Sequence, residues 1–186
     1  MRDRPRWAPL ELVSSALNRD ERAVEGLIAA IWPGCFRLAA TILVDRDLAQ
    51  DAAQEACVIV HRKIGGLRSA EAFDAWLYRV IVRETARVRR RQRTSDCAPD
   101  LAANVGDSTS IDVWRALAEL SPQFREVTVL FYFDDLKTEE IATILGVPHA
   151  TVRTRLARSR TKLRQILGDY DDRLDLMSGE TPQHAV

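Results

Sequence analysis

Residues 94–110, TSDCAPDLAANVGDSTS, interrupt a chain that otherwise reads as helix after helix. The stretch is small, polar and acidic, holds Pro99 and Gly106, and has no apolar period, which is the composition of a linker. A hydrophobic core cannot run across it. The 186 residues therefore divide into two small bodies instead of one large one. On both sides of the break, apolar residues recur at helical spacing, and no alternating strand pattern is found. The predicted fold class is all-α: a domain over 1–93, a linker over 94–110, a domain over 111–168 and an acidic tail over 169–186.

In the first half, Val24, Leu27, Ile28 and Ile31 fall at i, i+3, i+4 and i+7, and Asp20 stands where a helix cap belongs. Pro33-Gly34 reads as a break, followed by a second helix through Phe36, Ala39, Ala40 and Leu43. A third helix runs from about Leu48 to Ile64, with Ala53, Ala56, Cys57, Val60 and Ile64 inward and Gly65-Gly66 as its stop. Ser69 is placed to cap a fourth, in which Phe73, Trp76, Leu77, Val80 and Ile81 share one face. In the second half, Trp114, Leu117 and Leu120 mark a short helix. Ser121-Pro122 opens the next, with Phe124, Val127, Leu130 and Phe131 on one side. Thr138 is a cap with Glu139 and Glu140 in the first turn, where the helix dipole favours acids.

Charge is uneven although 27 basic and 27 acidic residues cancel. Residues 1–95 hold 17 basic and 12 acidic groups, and residues 114–168 hold nine and six. Residues 96–113 hold four Asp and no base, and residues 169–186 hold one base and five acids. Two basic blocks alternate with two acidic ones, which points to two polyanion-binding bodies. Three cysteines (Cys35, Cys57, Cys97), widely spaced and without a Cys-x-x-Cys, argue against a disulfide framework or a zinc knuckle. His61, His149 and His184 have no ligand spacing, and no glycine-rich loop follows a strand. The sequence thus points away from an enzyme, a metal and a cofactor. Asp134-Asp135 reads as turn chemistry. Met1–Trp7 carries no apolar signal stretch, and no run of about 18 apolar residues is read. The expectation is a cytoplasmic protein without membrane insertion.

The sharpest motif is TEEIATILGVPHATVRTRLA, residues 138–157. Ile141, Ala142 and Leu145 lie inward, Gly146 permits a left-handed turn, and Val152, Leu156, Leu163 and Ile166 anchor a helix from about His149 to Leu167. This is helix-turn-helix spacing. The second helix presents Thr151, Arg153, Thr154, Arg155 and Arg158 outward, suited to base edges in a major groove. Arg160, Lys162 and Arg164 suit phosphates. A second signal is the stripe Arg79, Arg83, Arg87 and Arg90 at i, i+4, i+8 and i+11, beside Tyr78, which is read as more exposed than Trp76. Bases can stack on such an aromatic. A third is Asp51, Gln54 and Glu55, an acidic helix surface.

With these residues in view, the chain resembles a bacterial sigma factor of the extracytoplasmic-function group within the sigma-70 family, over about residues 10–167. LAQDAAQEACVIVHRKI resembles the polymerase-clamp-binding helix of the first sigma domain, and AFDAWLYRVIVRETARVRRR its promoter-melting helix. The segment from Leu117 to Leu167 is similar to the second sigma domain: it joins a Ser-Pro-x-x-Arg-Glu-Val start, the Thr-x-Glu-Ile-Ala hairpin and a Thr-Val-Arg-x-Arg-Leu helix. The resemblance implies core RNA polymerase and promoter DNA as partners, and an anti-sigma factor as regulator. It implies that Asp51, Gln54 and Glu55 contact the polymerase clamp. Tyr78, Arg79, Arg83, Arg87 and Arg90 would serve the minus-ten element, and the 149–160 helix the minus-thirty-five element. The linker would thread toward the RNA exit channel.

The chain departs from the family pattern at three places. Gln50 stands where the family often has Glu, Cys57 and His61 replace an aromatic pair, and Arg83 and Arg87 take the usual Asn and Asp positions. Two other functions fit parts of the pattern. One is a stand-alone regulator whose hairpin binds an operator. The other is a sigma mimic that binds an anti-sigma factor without reading DNA.

Overall fold

The structure is a computed structural model that describes residues 7–93 and 108–167. The greater part of the linker, Cys97, His184 and the acidic tail lie outside the described residues. Among the described residues there are helices and turns but no strand. The all-α fold class read from the sequence holds. The chain divides into two compact units. The first is built on α1 (Leu10–Leu17), α2 (Glu21–Leu43), α3 (Arg46–Lys63) and α4 (Phe73–Arg93). The second is built on α5 (Ser108–Glu119), α6 (Pro122–Tyr132) and α8 (His149–Leu167), with α7 (Thr138–Leu145) leading into α8.

The centre of the first unit is α2, which packs against α1, α3 and α4. Asp20 caps it as expected, accepting from the backbone N–H groups of Arg22 and Ala23 at 3.0 and 3.2 Å. Pro33 does not break it: α2 is one continuous helix of 23 residues. An interior proline removes one N–H and ordinarily costs about 3 kcal/mol. Here the carbonyl left without its donor is that of Ala29, which is exposed, as is Pro33 itself, so water can take its place. On the opposite side Leu27, Ile31, Cys35, Leu38 and Ile42 form an unbroken buried stripe. Each fully buried side chain of this size contributes about 1.5–3 kcal/mol, and the stripe outweighs the single lost bond.

Gly34 has a nonlocal reason. A Cβ there would lie 2.5 Å from the Trp7 ring. Trp7 seals the end of the unit: its ring meets Tyr78 edge-on at 5.1 Å, and its backbone N–H donates to Asp74 at 3.4 Å. Helix propensity alone would favour Gly34→Ala by about 1 kcal/mol. The expected outcome is instead no gain in stability and a displaced Trp7, seen as stronger acrylamide quenching relative to a Trp7→Phe control.

α2 is also long and apolar enough by composition to cross a membrane, with mean hydropathy 1.6 over its most apolar window. The expectation from sequence that no such segment exists is corrected to that extent. Its apolar face is the core stripe just described, the place of a buried core helix. α3 offers it small residues, Ala49, Ala52, Ala53 and Ala56, which let the helices approach closely. Cys35 and Cys57 meet inside this packing. The hydrogen bond to Cys57 and burial push the Cys35 thiol well above its ordinary range, which keeps it inert.

Other local readings shift. Ser69 precedes a 3₁₀ turn, Ala70–Ala72, and its hydroxyl makes no cap bond; α4 starts at Phe73. Ser121 sits at the N-cap of α6 with Pro122 in the first turn, but the carbonyl of Ser121, not its hydroxyl, receives the helix N–H groups. In the second unit, Leu117, Leu120 and Leu163 form a cluster flanked by Trp114, Phe124 and Ile166.

A candidate nucleic-acid interface and its neighbours

The hairpin over 138–157 is built from its turn outward. α7 ends with Gly146 at φ 65°, a left-handed conformation that glycine adopts without a Cβ penalty. The Val147 N–H then reaches back to the Ala142 carbonyl at 3.1 Å, closing the helix end. The Pro148 carbonyl receives the N–H groups of Thr151 and Val152 and starts α8. Thr138, expected as a cap, is the first residue of α7, and its hydroxyl bonds the His149 ring at 2.7 Å instead. The cap role falls to Glu140, whose carboxylate accepts the Lys137 N–H at 2.8 Å. Glu139 accepts its own backbone N–H at the positive end of α7 and faces His149 at 3.2 Å; both hold its carboxyl below the usual range. One turn of α7 is thus tied to the first residue of α8.

α8 has two faces. Val152, Leu156, Ser159 and Leu163 are buried. Ser159 lies on that face at helical spacing, and its small hydroxyl bonds the Arg155 carbonyl at 2.7 Å and the Phe124 carbonyl of α6 at 3.3 Å. Of the predicted reading residues, Arg153, Thr154 and Arg158 are exposed, and Thr151 and Arg155 are half-buried. Arg160, Lys162 and Arg164 continue the exposed cationic side. The result is one helix with a basic outer face behind a tight turn, of a size that a major groove admits.

The helix-turn-helix stands on α6, where Arg125 does work that the sequence reading did not assign. Arg125 is 7% exposed. Its guanidinium donates to the carbonyls of Leu117 at 2.7 Å, Ala118 at 2.5 Å and Leu120 at 2.9 Å. It satisfies the carbonyls that the end of α5 leaves open. The signal was available: an arginine between Phe124 and Val127, inside an apolar helix face, has few reasons other than a buried acceptor set.

In the first unit the proposed DNA residues do not all lie open. Arg83 and Arg90 are exposed and Arg79 is half-buried. Tyr78 is 4% exposed, beneath Trp7, while Trp76 is half-exposed. The expected order of the two aromatics is therefore reversed, because Trp7 covers Tyr78. Arg87 turns toward acids. Its guanidinium lies 3.1 Å from Glu84 and 3.7 Å from Glu55 of α3. The structure thus brings together a residue predicted for DNA and one predicted for the polymerase. Asp51 and Gln54 are exposed on α3, and Glu55 is half-exposed. Val58, 40% exposed, falls on the same face at i+3 and i+4 from them, an apolar addition that the spacing 51, 54, 55, 58 would have revealed.

Residues 27–94 match the family pattern described as Sigma-70 region 2, and residues 110–163 the one described as Sigma-70, region 4. The chain is 31% identical over 166 residues to the ECF RNA polymerase sigma factor SigM of Mycobacterium tuberculosis, covering 85% of this chain and 84% of that one. The chain belongs to the extracytoplasmic-function sigma factors. The RNA polymerase sigma-H factor of Pseudomonas aeruginosa is 29% identical over 178 residues, covering 84% and 92% of the two chains. Two solved structures share the fold at 24% identity. The sigma factor RpoE in complex with the anti-sigma factor NepR from Bartonella quintana has a TM-score of 0.67 over 79% of this chain and 97% of that one. CnrH in complex with the cytosolic domain of CnrY has a TM-score of 0.64 over 86% and 96%. As a sigma factor, the protein acts in the initiation of transcription.

Proposed function

We propose that this sigma factor binds core RNA polymerase through α3, opens the minus-ten element along α4 and reads the minus-thirty-five element with the N-terminal half of α8. The observation that carries the reading is the exposed basic face of α8, held behind the Gly146 turn and tied to α7 through His149. Arg153, Arg155 and Arg158, with Thr151 and Thr154, are the base-reading set, and Arg160 and Lys162 hold phosphates. On α4, Arg79, Arg83 and Arg90 track the DNA backbone. Tyr78 takes part only if Trp7 leaves it. On α3, Asp51, Gln54, Glu55 and Val58 form the clamp-facing patch. The protein works in the cytoplasm, where its template is, and an anti-sigma factor holds it inactive. The solved relative captured with an anti-sigma factor supports that last step.

Footprinting tests the reading. With core polymerase, the protein should protect one promoter from the minus-thirty-five to the minus-ten element, and protection should weaken steeply with salt. Equal, sequence-specific protection without polymerase would identify an operator-binding regulator instead.

The Arg87 pair adds a separate expectation. The contact to Glu55 is exposed and contributes roughly 0–1 kcal/mol, but Glu84 is buried and loses its guanidinium partner, so Arg87→Ala should lower the melting temperature. It releases Glu55, and affinity for core polymerase should change while the salt slope of duplex binding stays near that of the parent. An unchanged polymerase affinity together with a smaller salt slope would return Arg87 to the DNA face.

A further inference from the structure

The packing of α2 against α3 holds the two cysteines of the described residues, both free thiols, and promoter reading uses neither. Cys35 is fully buried and Cys57 is 7% exposed. Their buried neighbours are hydrocarbon, Ile31 and Leu38 along α2 and Ala53, Ala56 and Val60 along α3. A cysteine that only fills space behaves as a small hydrophobe and needs no particular neighbour. Here the two sulfurs come together, hydrogen-bonded to one another across the packed helices. The alanines of α3 keep the two backbones close, the condition under which a pair of cysteines can be bridged with little backbone movement.

The two thiols are not equivalent. The bond to Cys57 and burial push Cys35 up, so Cys35 keeps its proton and does not itself start a reaction. The same bond, received by Cys57, holds Cys57 below its ordinary value and favours its thiolate. The thiolate is the nucleophilic form of cysteine. Cys57 is also the member of the pair with a residual opening to solvent. One sulfur is thus set to meet a small oxidant, and the other already stands against it.

We infer that Cys35 and Cys57 form a reversible oxidation site for hydrogen peroxide, which closes to a disulfide between α2 and α3. The Cys57 thiolate attacks one peroxide oxygen and the O–O bond breaks, leaving a Cys57 sulfenic acid and hydroxide. The hydroxide takes up the proton that Cys57 gave up, as water. The Cys35 sulfur then attacks the Cys57 sulfur. The S–S bond forms, the S–O bond breaks, and the Cys35 proton leaves with the hydroxyl as a second water. The two thiols together give up two electrons, and the peroxide takes them. Because the resolving sulfur is already in contact, Cys57 is captured before it reaches the irreversible sulfinic acid.

The test uses the full chain with Cys97→Ser, which removes the third thiol, and needs neither DNA nor polymerase, so its failure leaves the promoter reading untouched. Hydrogen peroxide under native conditions should abolish alkylation of both remaining cysteines. Trypsin should then release residues 23–37 joined to residues 47–62, lighter by two hydrogens than the separate peptides, and dithiothreitol should separate them. The yield should not depend on protein concentration. In Cys35→Ala the same treatment should give a Cys57 sulfenic acid that dimedone captures, and then the sulfinic acid. If that variant does not fold, the peptide map of the Cys97→Ser chain decides alone. Two cysteines still open to alkylation after a dose that fully oxidises free cysteine would overturn the proposal. So would sulfinic acid on Cys57 beside a free Cys35 in the Cys97→Ser chain, or a cross-link formed only between two chains.

Discussion

Replacing Arg155 and Arg158 together by alanine is expected to lower promoter-directed initiation by about 100-fold, with core-polymerase binding and the melting temperature nearly unchanged. A bidentate arginine contact to a base pair discriminates by about 1–3 kcal/mol, and each ~1.4 kcal/mol is tenfold. Arg158 is exposed and Arg155 half-buried at the edge of the face that carries Val152, Leu156 and Leu163, and neither belongs to the buried set of α8, so their removal should cost little stability. The Ser159 bond to position 155 uses the backbone carbonyl and survives the change. Lys162→Ala is the contrast. As a phosphate contact it should weaken binding to all sequences alike and reduce the salt slope by about one. Undiminished output from the double variant would mean that α8 does not read the promoter.

Arg125→Met is expected to destabilise the second unit by about 2–4 kcal/mol, because three carbonyls at the end of α5 lose a buried charged donor. In a domain this small each kcal/mol moves the melting temperature by about 4–8 °C, so a fall of roughly 8–32 °C follows. Arg125→Lys should recover only part of it, since an ammonium cannot present the same planar fork of donors to several carbonyls. Calorimetry resolves the second unit's transition from that of the first. A change below about 1 kcal/mol would show that water replaces the guanidinium and that the arginine is dispensable for the fold.

What the sequence disclosed and what it hid divide by range. Asp20, Gly146 and the inward face of α8 were legible because each is decided within one or two helical turns. Pro33 misled for the same reason: its local rule predicts a break, and the stripe from Leu27 to Ile42 decides otherwise through packing with other helices. α1 was missed because only Val13 and Ala16 of its eight residues are buried, too little to set a period. The exposure of Tyr78 was inverted by Trp7, a residue far away in the chain. The basic stripe on α4 is a row of arginines by spacing, and at Arg87 it meets Glu84 of the same helix, which local spacing could show, and Glu55 of α3, which it could not. The fold class was therefore readable almost in full. The outward face of α8 was readable because one helix's period sets it, whereas the meeting of Arg87 with Glu55 takes two helices and was not.

The central claim is that this sigma factor gives core polymerase its promoter choice. Run-off transcription with purified core enzyme and genomic DNA fragments tests it most directly. The expected result is a small set of transcripts with defined start sites, present only when protein and core are combined and lost when Arg155 and Arg158 are replaced by alanine. Start sites that are the same with and without the protein would contradict the claim.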